Sequence, residues 1–175
     1  MFRPKTQKNL EDAFAGESMA RNKYDYFASV ARKAGYQQIA NIFTETALNE
    51  KEHAKIWAKQ LQLIGDLEAD LKAAIKGEIY EAEEMYPRMA KEALEEGHQE
   101  VARLFTEVGK VEKRHRNRYQ KLLDNLEKEE VFKRPEVKKW KCLNCGYIYE
   151  GTEPPKVCPA CNHPQSYFEI WIETY

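Results

Sequence analysis

Four glutamates and two histidines stand where apolar side chains are expected, and their spacing is that of a metal site. Glu50 and His53 are three residues apart, as are Glu112 and His115. Residues at i and i+3 project from one helix face about a turn apart, so each pair can grip one ion. Glu17 and Glu78 sit on comparable stripes of two further segments. Burying an unpaired carboxylate is costly even after relaxation, and no Lys or Arg shares these stripes at the same levels, so the compensating charge has to be a cation. Glu81, three residues after Glu78, adds a fifth carboxylate; the matching position after Glu17 is Ala20. Five carboxylates with neutral histidines carry a negative charge whose magnitude lies between the charges of two ferrous and two ferric ions. Oxygen-rich ligation with imidazole suits iron or manganese in a redox role.

A second donor set lies near the C-terminus. Cys142-x-x-Cys145 and Cys158-x-x-Cys161 are the only cysteines of the chain and can close a tetrahedral four-thiolate site. Their clustering fits metal ligation in a reducing compartment better than a disulfide framework. Zinc and iron share this geometry, so the spacing alone leaves the metal open.

Four helices must position the carboxylates. Leu10, Phe14, Glu17, Ala20, Tyr24, Phe27 and Ala31 recur at helical period from Thr6 to about Gly35. A second series runs from Ile39 through Phe43, Glu50, His53 and Trp57 to Ile64. A third runs from Leu71 through Ile75, Glu78, Met85 and Met89 to Gly97, and a fourth from Val101 through Phe105, Glu112, His115 and Tyr119 to Leu126. Pro87 removes an amide inside the third helix, which predicts a kink there rather than a stop. Gly35, Ile39, Ala40, Phe43, Glu50 and His53 repeat as Gly97, Val101, Ala102, Phe105, Glu112 and His115 at an offset of 62, and Gly16-Glu17 repeats as Gly77-Glu78 at an offset of 61. Two similar hairpins, each with one charged stripe, predict a four-helix bundle with approximate twofold symmetry. A Glu from each of two helices with Glu-x-x-His from the other two is the hallmark of ferritin-like di-metal carboxylate proteins. Tyr24 and Tyr86 on the same stripes read either as core aromatics or as phenols that hydrogen-bond the carboxylate ligands. The basic run Lys113, Arg114, Arg116 and Arg118 reads as a solvated face.

The expected organisation is therefore an all-α ferritin-like four-helix bundle over residues 1–130, a charged linker at 131–137 broken by Pro135, and a small metal-stapled β module over 138–175. Fewer than 40 residues build no adequate core without such a staple. Lys and Arg number 28 against 29 Asp and Glu, a net charge of -1 that gives no pull toward nucleic acid or anionic membranes. With 42% hydrophobic and 33% charged residues and a mean hydropathy of -0.78, the composition is that of solvent-coated amphipathic helices. The N-terminal stretch has no signal-peptide core and no run approaches a membrane span, so the chain reads as cytoplasmic.

Cys145-Gly146-Tyr147-Ile148-Tyr149 and Cys158-Pro159-Ala160-Cys161 resemble the knuckles of rubredoxin, though the loop between them is much shorter than in stand-alone rubredoxins. The combination resembles rubrerythrin over essentially the whole chain, through Ala15-Gly16-Glu17-Ser18-Met19-Ala20, Glu50 with His53, Gly77-Glu78-Ile79-Tyr80-Glu81, Met85-Tyr86-Pro87 and Glu112 with His115. The resemblance implies a non-haem di-iron peroxidase that reduces hydrogen peroxide to water in oxidative stress defence. Its cofactors would be the di-iron pair and one iron in the four-cysteine, rubredoxin-like site. It implies that Glu50 and Glu112 bridge the irons, that Glu17 and Glu78 are terminal ligands, that His115 holds one iron, and that the other exchanges Glu81 for His53 between redox states. Tyr24 and Tyr86 are then candidate proton donors, and Glu81, His53, Tyr24 and Tyr86 the catalytic set. Electrons would come from NAD(P)H through a reductase or a separate rubredoxin, and pass through the tail.

From His115 to about Glu130 a helix extends roughly 22 Å at ~1.5 Å per residue, which predicts a homodimer or higher homo-oligomer in which one chain's tail serves another's bundle. Competing readings are a ferritin-like iron store or ferroxidase, an electron carrier, and a zinc ribbon on a scaffold bundle.

Overall fold

The computed structural model describes residues 2–174. Its contacts divide the chain into two compact units, residues 1–66 and 67–175.

The first unit is an antiparallel hairpin of α1 (Pro4–Lys33) and α2 (Gln37–Gln60). Pro4 opens α1 at a position where a missing amide costs nothing. Gly35 closes it at φ +85, with its own amide on the Arg32 carbonyl and the Tyr36 amide on Ala31. This left-handed closure is the reason a glycine stands there. The buried seam is made of alanines, Ala28, Ala40, Ala47, Ala54 and Ala58. Small side chains let the two backbones approach, and a cluster of Tyr24, Phe27 and Phe43 fills the space near the turn, with ring centroids 5.6 to 6.2 Å apart.

The second unit repeats the hairpin with one change. Its first arm comprises α3 (Leu67–Tyr80), a π turn (Glu81–Met85) and α4 (Tyr86–Glu95), and it lies antiparallel to α5 (Gln99–Glu127). Gly97 closes α4 as Gly35 closes α1, at φ +85. Ala90, Ala93 and Ala102 again form the seam, joined by Ile75 and Leu123. The Tyr86 and Phe105 rings pack 6.1 Å apart, as Tyr24 and Phe43 do at 6.0 Å.

The π turn accounts for the shift of the repeat from 61 to 62. Glu17 and Tyr24 are seven residues apart, whereas Glu78 and Tyr86 are eight. The wider turn, in which the Tyr86 amide bonds the Glu81 carbonyl five residues back, absorbs the extra residue and returns Tyr86 to its partner's register. The irregularity expected at Pro87 thus lies in the turn just before it, and Pro87 sits in the first turn of α4, where the helix has few amides to lose.

The four-cysteine module is a three-stranded antiparallel sheet of β1 (Lys138–Cys142), β2 (Ile148–Gly151) and β3 (Phe168–Ile170), in the order β2-β1-β3. Alternation along β1 turns Trp140 and Cys142 inward, onto Cys158 and Phe168. Trp140 is 1% exposed and its indole N–H donates to the Gly151 carbonyl at 2.9 Å. These elements are the helical hairpins and metal-stapled β module of the expected fold class. Among the described residues no helix is long and apolar enough to cross a membrane.

Candidate metal centres

Each hairpin gathers one Glu, Glu, His set whose ligand atoms lie within 4.8 Å of one another. In the first unit Glu17 comes from α1, and Glu50 and His53 from α2. His53 Nδ1 lies 2.8 Å from Glu50 Oε2 and 3.9 Å from Glu17 Oε1. In the second unit Glu78 comes from α3, and Glu112 and His115 from α5. His115 Nδ1 is 2.7 Å from Glu112 Oε2 and 3.6 Å from Glu78 Oε2.

Both sets crowd carboxylates whose charge a cation would offset. Glu17 shares a hydrogen bond with Glu50, which together with burial and the Glu50 charge raises its carboxyl above the ordinary carboxylate range, against the pull of His53. Burial raises Glu78 as well; His115 opposes this, while Glu112 and Glu81 add to it. Glu78 Oε2 is buried and has no hydrogen-bond partner among the described residues. A buried acceptor left unmade is costly, and a carboxylate–imidazole set with a spare oxygen fits a divalent cation of the iron class.

Glu81 opens the π turn and stands outside the two three-ligand sets. Its charge reaches Glu78 and Tyr86. The Tyr86 phenol is pushed above its ordinary value by burial and by the Glu112 and Glu81 carboxylates, so it keeps its proton. Its ring is backed by α5 at Gly109, where a Cβ would come within 3.2 Å of the Tyr86 Cβ. Tyr24, its counterpart, stacks on Phe43. Arg116, assigned from the sequence to a solvated basic run, instead turns back to the π turn and pairs with Glu83 at 2.5 Å. Thirty-three residues separate that pair, and neither periodicity nor motif signals it.

The four cysteines converge on one point in two matching knuckles. Sγ atoms of Cys142 and Cys161, and of Cys145 and Cys158, lie 3.7 Å apart, the edge of a tetrahedron with ~2.3 Å metal–sulfur bonds. The thiols are free. The Gly146 amide bonds the Cys142 carbonyl and the Asn162 amide the Cys158 carbonyl, and both Gly146 and Asn162 take positive φ. The His163 amide, donating to Cys161, lowers that thiol to about 6. The Tyr147 amide likewise favours the Cys145 thiolate, but hydrogen bonding with Cys161, Cys158 and Cys142, together with burial, outweighs it and raises Cys145 to about 12. Four sulfurs at this separation form the donor set of a tetrahedral metal site.

Two family models match the chain, one described as rubrerythrin over residues 8–123 and one as rubrerythrin, rubredoxin-like domain over residues 140–169. The chain belongs to the rubrerythrin family. It is 49% identical to rubrerythrin-1 of Clostridium acetobutylicum, over 98% of this chain and 96% of that one. It is 50% identical to the rubrerythrin of Clostridium perfringens over the same shares, and 44% identical to that of Nitratidesulfovibrio vulgaris over 95% and 94%. Solved structures of nigerythrin, among them its fully reduced, all-ferrous state, align over 98% of this chain and 89% of theirs, at 30% identity and a TM-score of 0.36. Rubrerythrins are oxidoreductases, and the donor sets described above are those of a Glu/His-ligated non-haem di-iron centre and a four-cysteine, rubredoxin-like iron site.

Proposed function

We propose that this rubrerythrin reduces hydrogen peroxide to two molecules of water, consuming two electrons and two protons, in the cytoplasm of a cell under oxidative stress. The observation that supports the reading is the presence of two Glu, Glu, His sets together with a phenol, Tyr86, that is held protonated beside Glu112 and Glu81. Glu17, Glu50, His53, Glu78, Glu81, Glu112 and His115 would hold the two irons. Glu50 and Glu112 would serve as the shared carboxylates, and Glu81 and His53 as ligands that could exchange with one another. When bound, the iron pair supplies both electrons for cleavage of the oxygen–oxygen bond.

The chain's own residues do the rest. Glu81, on a turn held by wider hydrogen bonds than an α-helix, has the freedom an alternating ligand needs. Tyr86 donates a proton toward the departing oxygen and recovers it from solvent, with Tyr24 as its counterpart in the first hairpin. Cys142, Cys145, Cys158 and Cys161 would hold a further iron, whose one-electron chemistry would suit the passage of electrons from NAD(P)H through a reductase or a rubredoxin. The working form is a homodimer or larger homo-oligomer.

The test is rapid mixing of anaerobically reduced, iron-loaded protein with hydrogen peroxide, followed in the visible and repeated for Glu81→Ala. We expect reoxidation in the wild type and a rate at least about tenfold lower in the variant, the low end of what loss of a group supporting a metal site costs. If neither iron centre is reoxidised by stoichiometric peroxide, the peroxidase assignment fails. Iron uptake well beyond two carboxylate-held ions and one thiolate-held ion per chain would favour storage instead.

A further inference from the structure

The residues between α5 and β1 are not a loose tether. Pro135 biases the residue before it toward extended backbone, and Arg134 in that conformation donates its amide to the Thr152 carbonyl of the four-cysteine module at 2.8 Å. Its guanidinium reaches the other way. Nη1 donates to Asn125 Oδ1, on the last turns of α5, at 3.0 Å and lies 3.6 Å from Glu130 Oε2, just past the end of that helix. The side chain is only 17% exposed, and its Nε is buried without a partner among the described residues. A charged group half-desolvated in this way is a cost to the fold unless its position is worth keeping. Beside this segment Leu126, Val131 and Phe132, with Glu153 and Gln165 of the module, line a cleft of about 500 Å³.

We propose that Arg134 is a positioning residue for electron transfer: it pins the four-cysteine module to the end of α5, so that the tail iron is presented at one distance and orientation. A charged linker without this pin would leave the module to sample a range of positions. The electron-transfer consequence rests on the relay proposed above; the pin itself does not.

Two measurements on the iron-loaded protein separate these. Hydrogen exchange followed by mass spectrometry reads the pin directly. In Arg134→Gln the amides of residues 128–137 are expected to exchange on the order of tenfold faster, the effect of losing one charged hydrogen bond. Asn125→Leu, which leaves Arg134 in place and removes its acceptor, is expected to act in the same direction, and Asn125→Asp to preserve protection. Rapid mixing of fully reduced protein with hydrogen peroxide reads the consequence. Oxidation of the carboxylate-held irons is expected to be unchanged in Arg134→Gln, while the return of the ferric tetrathiolate colour slows by about tenfold and becomes multiphasic. Wild-type exchange rates in both Arg134→Gln and Asn125→Leu overturn the pin, whatever the kinetics show. Faster exchange with an unaltered colour phase overturns its role in electron transfer. A wild-type tail that peroxide never oxidises overturns the relay, and the pin is then decided by exchange alone.

Discussion

Glu78 offers a direct measure of how much the metal-free fold sacrifices to keep its ligands. Among the described residues its Oε2 is buried without a hydrogen-bond partner, its side chain is 17% exposed, and burial holds its carboxyl above the ordinary range. In Glu78→Gln the charge disappears and the amide can donate to the neighbouring Glu112 carboxylate. Relieving one unsatisfied buried acceptor is worth ~1–2 kcal/mol, which in a chain of this size is a rise of roughly 2–8 °C in melting temperature. Metal-free protein at neutral pH is therefore expected to melt higher as the variant than as the wild type. Loading reverses the order. An ion at about a hundred times its dissociation constant adds ~2.7 kcal/mol to the wild type, and most of that is lost when a charged ligand becomes neutral. The pH dependence follows from the direction of the shift. A carboxyl raised in the fold favours the protonated native state, so its contribution is present at low pH and is lost as pH rises through the raised value. Metal-free wild type is thus expected to lose stability over that window, through both Glu17 and Glu78, and Glu78→Gln to lose less. Calorimetry of both proteins, with and without ferrous iron, checks each step. Metal-free Glu78→Gln melting below metal-free wild type at neutral pH would refute the reasoning.

Excision of Ala82 from the π turn should let α3 and α4 run on as one regular helix with Tyr86 still packed on Phe105, because the first hairpin spans the same distance with seven residues. Helical content is expected to be retained and peroxide turnover to fall at least tenfold; circular dichroism with a peroxidase assay decides, and full turnover would show that the turn has no part in the chemistry. In the metal-free tail at pH 7, alkylation is expected to reach Cys161 before Cys145, although Cys145 is the more exposed, since the first thiol lies near 6 and the second near 12. Peptide mapping after brief iodoacetamide treatment reads the order, and labelling that simply follows exposure would remove the basis for it.

Several features were legible in the residues alone because local rules govern them. The i, i+3 spacing of Glu50 with His53 and Glu112 with His115 puts each pair on one face whatever else the chain does, and Gly35 and Gly97 mark helix ends because only a left-handed residue closes them so cheaply. The two Cys-x-x-Cys knuckles likewise carry their geometry with them. What the sequence could not show depends on contacts between segments. The extra residue between Glu78 and Tyr86 is visible as a change of repeat, but that it becomes a π turn rather than a kink at Pro87 is decided by packing, since Tyr86 must meet Phe105 and Gly109 on α5. The stranded oxygen of Glu78 is a matter of burial, which periodicity predicts for a stripe and not for an atom. Arg116 and Arg134 are, by composition, two more surface arginines; only the folded chain brings one to Glu83 and the other between Asn125 and Thr152, because a long charged side chain takes its partner from whatever the tertiary structure places within reach.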